Sequence, residues 1–249
     1  MKARIKFKKY GALRFIGHLD VMRYFQKVMR RAQIPIAFTG GYSPHMIMSF
    51  ASPLGIGLTS EGEYFDIELT EPIESEKAVR QMNEVGVDGI EVLSFRQIAE
   101  EKKATGMAIV AAADYLAGLR IGHFPENLNE LVETFTGQER IEVLKQTKRS
   151  EKMVDIRPMI YQMEVVEDAE SHFESLTDGR VIALKLAAGS VENLKPDLVM
   201  SAFMQFAGIK EEEVTCAYHR MEMYANTAEE GQPRNLVSLE NLGKEIVGK

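Results

Sequence analysis

The sequence is short of the groups on which most metal and cluster chemistry is built. One cysteine, Cys216, stands among 249 residues. No disulfide can close within the chain, and no cysteine-ligated iron–sulfur cluster or zinc site can be assembled from it alone. The reducing cytoplasm is the expected compartment. His123, His172 and His219 lie far apart, and no His-x₃-His or Glu-x-x-His spacing occurs, so neither a metal nor a cofactor is expected. No apolar run of about 18 residues appears, so no transmembrane helix is expected. The opening MKARIKFKKYG alternates apolar and basic residues where a signal peptide would need an apolar stretch.

Acid is nearly missing from the first sixty residues, and this absence reveals what is present. Lys2, Arg4, Lys6, Lys8, Lys9, Arg14, Arg23, Lys27, Arg30 and Arg31 face a single acid there, Asp20, for a net charge of +9. The rest of the chain holds 20 basic against 36 acidic residues, and the whole carries −7. Such polarity points to an anionic partner at one end, with acidic surface elsewhere.

Periodicity supplies the organisation. Residues 3–9 alternate Ala, Ile and Phe with Arg and Lys, the pattern of a half-buried strand. A loop around Gly11 and Gly17 leads to His18-Leu19-Asp20, and an amphipathic helix is predicted after it to about Gln33, with Met22, Phe25, Val28, Met29 and Ala32 on its apolar side. A short strand at Ile34–Phe38, a polar turn at Thr39–His45 and an extended run at Met46–Ala51 follow. A strand at Glu63–Leu69, a helix at about Glu74–Val85 and a strand at Ile90–Gln97 complete the first half. The second half reads as a strand at Ile109–Leu119, a helix at Glu126–Phe135, and extended segments at Glu139–Gln146 and Met153–Val166 joined by a turn at Lys148-Arg149-Ser150. A strand at Arg180–Ala187, a helix at Pro196–Ala207 and a strand at Thr215–Tyr224 end it. The expected fold class is α+β, two tandem ferredoxin-like (split βαβ) units with antiparallel sheets. The expected division is a basic unit at 1–98, a second unit at 107–225 and a polar tail at 226–249, with the charged link Ala99–Gly106 between the units.

Arg23, Lys27, Arg30 and Arg31 fall on one helical face with few acidic partners, behind a strand that is also basic. Together with Lys6, Lys8 and Arg14 this composition suits phosphate contact. Tyr10, Phe15, Tyr24, Phe38 and Tyr42 lie near these charges in sequence, where aromatic rings stack on unpaired bases or fill the core. Tyr42, Ser43 and His45 belong to the glycine-led turn Gly40–His45, which matches neither a dinucleotide-binding fingerprint nor a P-loop. His18, beside Asp20 at the entry to the helix, is either a general acid/base or a helix-entry residue.

One set of residues is more specific. Phe15-Ile16-Gly17-His18-Leu19-Asp20, Met22-Arg23, Arg30-Arg31-Ala32, Ile34-Pro35, Gly41-Tyr42-Ser43-Pro44-His45, Pro53-Leu54-Gly55-Ile56-Gly57, Ser60-Glu61 and Asp66 together resemble the radical-SAM-associated proteins of unknown function. Lys148 with Val154-Asp155-Ile156 extends the likeness into the second half. The resemblance implies an accessory or substrate-recognition module with a radical SAM protein as partner, and the first reading taken from it is a non-catalytic one. The CxxxCxxC motif is absent, so radical chemistry would come from that partner. The outline is also similar to the repeat-associated RNA-processing proteins, which would give His18, Tyr10 and Lys27 the roles of a metal-independent ribonuclease. The glycine-rich loop those proteins carry is missing from residues 185–225. Three readings follow: RNA or another anionic substrate bound at the basic face, a protein-docking module without nucleic acid, and the ribonuclease.

Overall fold

The computed structural model describes residues 1–100, 106–146, 151–167, 169–190 and 192–248. The turn at Lys148–Ser150 and most of the link at Ala99–Gly106 lie outside the described residues. The chain divides into unit 1, Met1–Ala111 with Glu222–Lys249, and unit 2, Ala112–Met221. Among the described residues no helix is long and apolar enough to cross a membrane.

Unit 1 is built on β1 (Lys2–Lys9), α1 (His18–Arg31), β2 (Met48–Phe50), β3 (Thr59–Glu68), α2 (Ser75–Glu84) and β4 (Ile90–Ile98). β1 is central and antiparallel to both neighbours, with Ile5 opposite Phe65 of β3 and Phe95 of β4. β2 pairs with β3, so the order is β4-β1-β3-β2, that of a split βαβ unit. α1 turns Val21, Phe25, Val28 and Met29 into the core. The Phe25 ring meets Phe65 at 4.5 Å and Phe7 at 4.7 Å, and Phe50 stacks on Phe65 at 4.9 Å. Asp20 in the first turn and Arg30 and Arg31 in the last complement the helix dipole. The helix stops at Gln33, whose φ of 52° occupies the left-handed position usually given to glycine. There Ile34 N donates back to Met29 O at 3.1 Å. Ile34–Phe38, expected as a strand, makes only the isolated bridges Ile36–Leu69 and Phe38–Met46, as Pro35 has no N–H to add to a ladder.

Unit 2 takes the N-terminal part of β10 (Thr215–Asn226) together with β5 (Val110–Ile121), β9 (Val181–Ala187) and β8 (Ile160–Val166), in the order β10-β5-β9-β8. A short α3 (Gly106–Ile109) precedes β5; α4 (Leu128–Thr136) and α5 (Pro196–Phe206) are the crossover helices. This is the same split βαβ order. α4 and α5 meet through Phe135 and Phe203, 5.5 Å apart. The hairpin of β6 (Glu142–Gln146) and β7 (Glu151–Asp155) is inserted before β8, with Leu144 opposite Met153.

The segment expected as a polar tail is ordered structure of unit 1. After β10, β11 (Leu236–Ser238) pairs with β10 and β12 (Lys244–Glu245) pairs with β4. Leu239 is fully buried. Few apolar side chains are needed here, because backbone pairing and charge contacts to β1 hold the segment.

Candidate functional site

Three cations of β1 are engaged by carboxylates, and this changes the reading of that strand. Arg4, only 2% exposed, makes a bidentate pair with Asp66 of β3 at 2.8 and 3.0 Å, and also donates to Leu239 O at 3.2 Å. Asp66 in turn accepts from Gly106 N at 2.7 Å. Lys6 Nζ lies 2.8 Å from Glu222 and 3.2 Å from Glu240. Burial alone would lower the pKa of the Lys6 ammonium, but these two carboxylates outweigh it and hold the pKa above its ordinary value. Burial and the same Glu222 carboxylate raise the pKa of the Tyr64 hydroxyl, which donates to Glu222 at 2.5 Å. Lys8 pairs with Glu91 at 2.6 Å, and that bond keeps its pKa raised. The expected basic face is therefore divided, since Lys6 and Lys8 sit in ion pairs with acids from later in the chain.

The helix is different. Arg23, Lys27, Arg30 and Arg31 are all exposed. Arg23 has Asp20 at 3.5 Å, an exposed i,i+3 pair of little strength. Lys27, Arg30 and Arg31 enter no ion pair among the described residues. At 100° per residue Arg23, Lys27 and Arg30 fall within roughly a 60° sector. The helix thus presents a cationic stripe backed by a fully apolar buried face.

Before the helix, Arg14 is held by its surroundings. Its guanidinium donates to Gly11 O at 3.2 Å and sits 4.6 Å from the centroid of the Phe15 ring. Tyr10 donates its hydroxyl to Asp88 at 3.0 Å, with the Lys8 ammonium 5.2 Å from its ring. After the helix, Tyr42, Ser43 and His45 stand on the exposed loop Thr39–His45. Thr39 and His45 close it, with His45 N donating to Thr39 Oγ1 at 3.1 Å and Thr39 N donating to His45 O at 2.9 Å. The Tyr42 ring is fully solvated.

His18 opens α1 half-buried, its ring edge-on to Phe50 at 5.2 Å. It lines a cavity of about 20 Å³ with Phe7, Lys9, Val21, Phe50, Pro53, Leu54 and Glu63, enough for about one water. His18 and Lys27 are nine residues apart on one helix, about 14 Å along its axis, and Tyr10 is engaged by Asp88. The three residues of the ribonuclease reading do not converge on one reacting centre.

Two features escaped the sequence. The fold brings His172 and His219 to 5.1 Å between ring centroids in unit 2, although the chain separates them widely. A groove of about 560 Å³ runs along α5 beneath the β6–β7 hairpin, where Leu144, Met153 and Phe206 stay exposed. Its wall residues Leu198, Ser201, Ala202 and Gln205 follow helical spacing, but a short helix with that pattern is indistinguishable in sequence from one packed in a core.

Comparison with known proteins adds the following. The family described as "Uncharacterized protein conserved in bacteria (DUF2344)" matches residues 2–196. No curated protein matches the chain. Among solved structures, the first two RRM domains of the yeast poly(U) binding protein Pub1 align over 92% of this chain and 100% of that one, at 8% identity. The TM-score of 0.19 is too low for that likeness to carry an argument.

Proposed function

This chain belongs to the bacterial family described as uncharacterized protein conserved in bacteria (DUF2344), and from that premise we propose that it is a non-catalytic accessory module that binds RNA or another polyanion through the solvent face of α1. The observation that carries the reading is that Lys27, Arg30 and Arg31 are exposed without an ion-pair partner among the described residues. Arg4, Lys6 and Lys8 of β1 are engaged by carboxylates, whereas the stripe on α1 keeps its charge toward solvent. Helical cations of this kind neutralise phosphates and release counterions. The partner in this reading is a radical SAM protein, as the sequence resemblance implies. The lone half-buried thiol of Cys216 is consistent with that division of labour and with a cytoplasmic setting, since any cluster has to be ligated by the partner.

The test is retention on immobilised RNA. The double variant Lys27→Glu/Arg30→Glu is expected to lose retention, and Lys8→Gln to keep it. Equal retention of both variants would remove the basis of the reading. Retention of the radical SAM protein by wild type, with no RNA bound, would replace it by a docking module.

A further inference from the structure

Three large apolar side chains are exposed at the N-terminal end of the cationic helix. Phe15 is 58% exposed, Leu19 60% and Ile56 66%. They are gathered by the fold: Gly57 N donates to Arg14 O at 2.8 Å, and a Cβ built on Gly17 would stand 4.0 Å from Ile56 Cδ1. The Phe15 ring is prepared rather than loose. Its turn is held by Ile16 N donating to Leu13 O at 3.2 Å and by the Arg14 guanidinium donating to Gly11 O. That guanidinium lies over the ring at 4.6 Å, the geometry of a cation–π pair. Leu19, Arg23 and Lys27 then follow at four-residue steps along α1.

We propose that the ligand of the α1 face is single-stranded RNA, with an unpaired base stacking on Phe15 and the following phosphates tracking Arg23, Lys27 and Arg30. The inference rests on the polyanion reading above and names its substrate class. A backed, exposed ring beside a row of cations is the combination that single-strand binding needs, because every base offers a π face and every linkage a charge. A duplex hides its base faces and gives Phe15 nothing to meet. From Leu19 to Arg30 the helix rises about 16 Å, a span of several linkages.

The experiment compares a labelled oligouridylate with an abasic oligonucleotide of the same length, both titrated with the full chain. Phe15→Ala is expected to weaken oligouridylate binding about 5- to 150-fold, the range spanned by base–aromatic stacking, and to leave abasic binding unchanged. Phe15→Trp should retain the affinity; Phe15→Leu, which keeps the apolar contacts and removes the π face, should not. Lys27→Glu/Arg30→Glu should weaken both ligands. Oligouridylate binding that Phe15→Ala and Phe15→Leu leave intact, with the charge reversal still effective, overturns the stacking and spares the polyanion reading. Equal losses on both ligands from Phe15→Leu overturn it too, as Phe15 would then only position the cations. Failure of wild type to bind either ligand overturns both readings.

Discussion

The salt dependence expected of the proposed RNA binding follows from the disposition of the cations. Lys27, Arg30 and Arg31 are exposed and unpaired among the described residues, and Arg23 is only weakly countered by Asp20. Three to four neutralised phosphates give a slope of log K against log salt of about −2 to −3 on a single strand. Raising salt from about 50 to about 200 mM should then cost about 15- to 60-fold in affinity. Each of Lys27→Ala and Arg30→Ala should remove about 0.7 from the slope. Lys8→Ala should remove none, because its ammonium already serves Glu91 at 2.6 Å. Fluorescence anisotropy of a labelled RNA across a salt series reads all four slopes. The reasoning fails if the Lys27→Ala and Arg30→Ala slopes both equal that of wild type, or if Lys8→Ala flattens the slope as much as they do.

Other outcomes are expected of the fold. Asp66→Ala strands the Arg4 guanidinium in a buried site and should lower the unfolding free energy by about 3–5 kcal/mol; a urea midpoint that hardly moves would contradict the clamp. Phe25→Ala empties the centre of the aromatic cluster and should cost about 3–5 kcal/mol in the same assay. Gln33→Gly relieves a left-handed backbone and should raise the thermal midpoint, by about 1 kcal/mol in stability at most. In unit 2 the Arg180 side chain holds the Asp178 carboxyl at a pKa of about 2, below its ordinary value. A depressed carboxyl stabilises above its unfolded pKa, so that contribution, at most about 2 kcal/mol, should be complete above about pH 4 and vanish as pH falls through 2. Asp178→Asn should flatten the acid limb of stability over that window.

Much of this protein was legible from one strand period and one helix period. The alternation of residues 3–9, the stripe of Phe25, Val28 and Met29, and Pro196 at the start of α5 each locate an element within a few residues of where it lies. The α+β class and the two split βαβ orders followed from the succession of elements. The β6–β7 hairpin was visible as extended chain, but nothing local says that it stands apart from the β10-β5-β9-β8 order. The segment after Asn226 looked like a tail because it has few apolar residues; its strands are held by backbone pairing, which leaves no mark in composition.

The sequence by itself determined the charge asymmetry, the cation spacing on α1 and the scarcity of thiols, because those are properties of residue type and short-range period. Tertiary structure decided which cations remain available. Arg4, Lys6 and Lys8 look the same in sequence as Lys27 and Arg30, yet Asp66, Glu222, Glu240 and Glu91 reach the first group and no described acid reaches the second. The physical reason is range: helix and strand periods act over a few residues, whereas a carboxylate far along the chain neutralises a lysine only after the strands between them have paired.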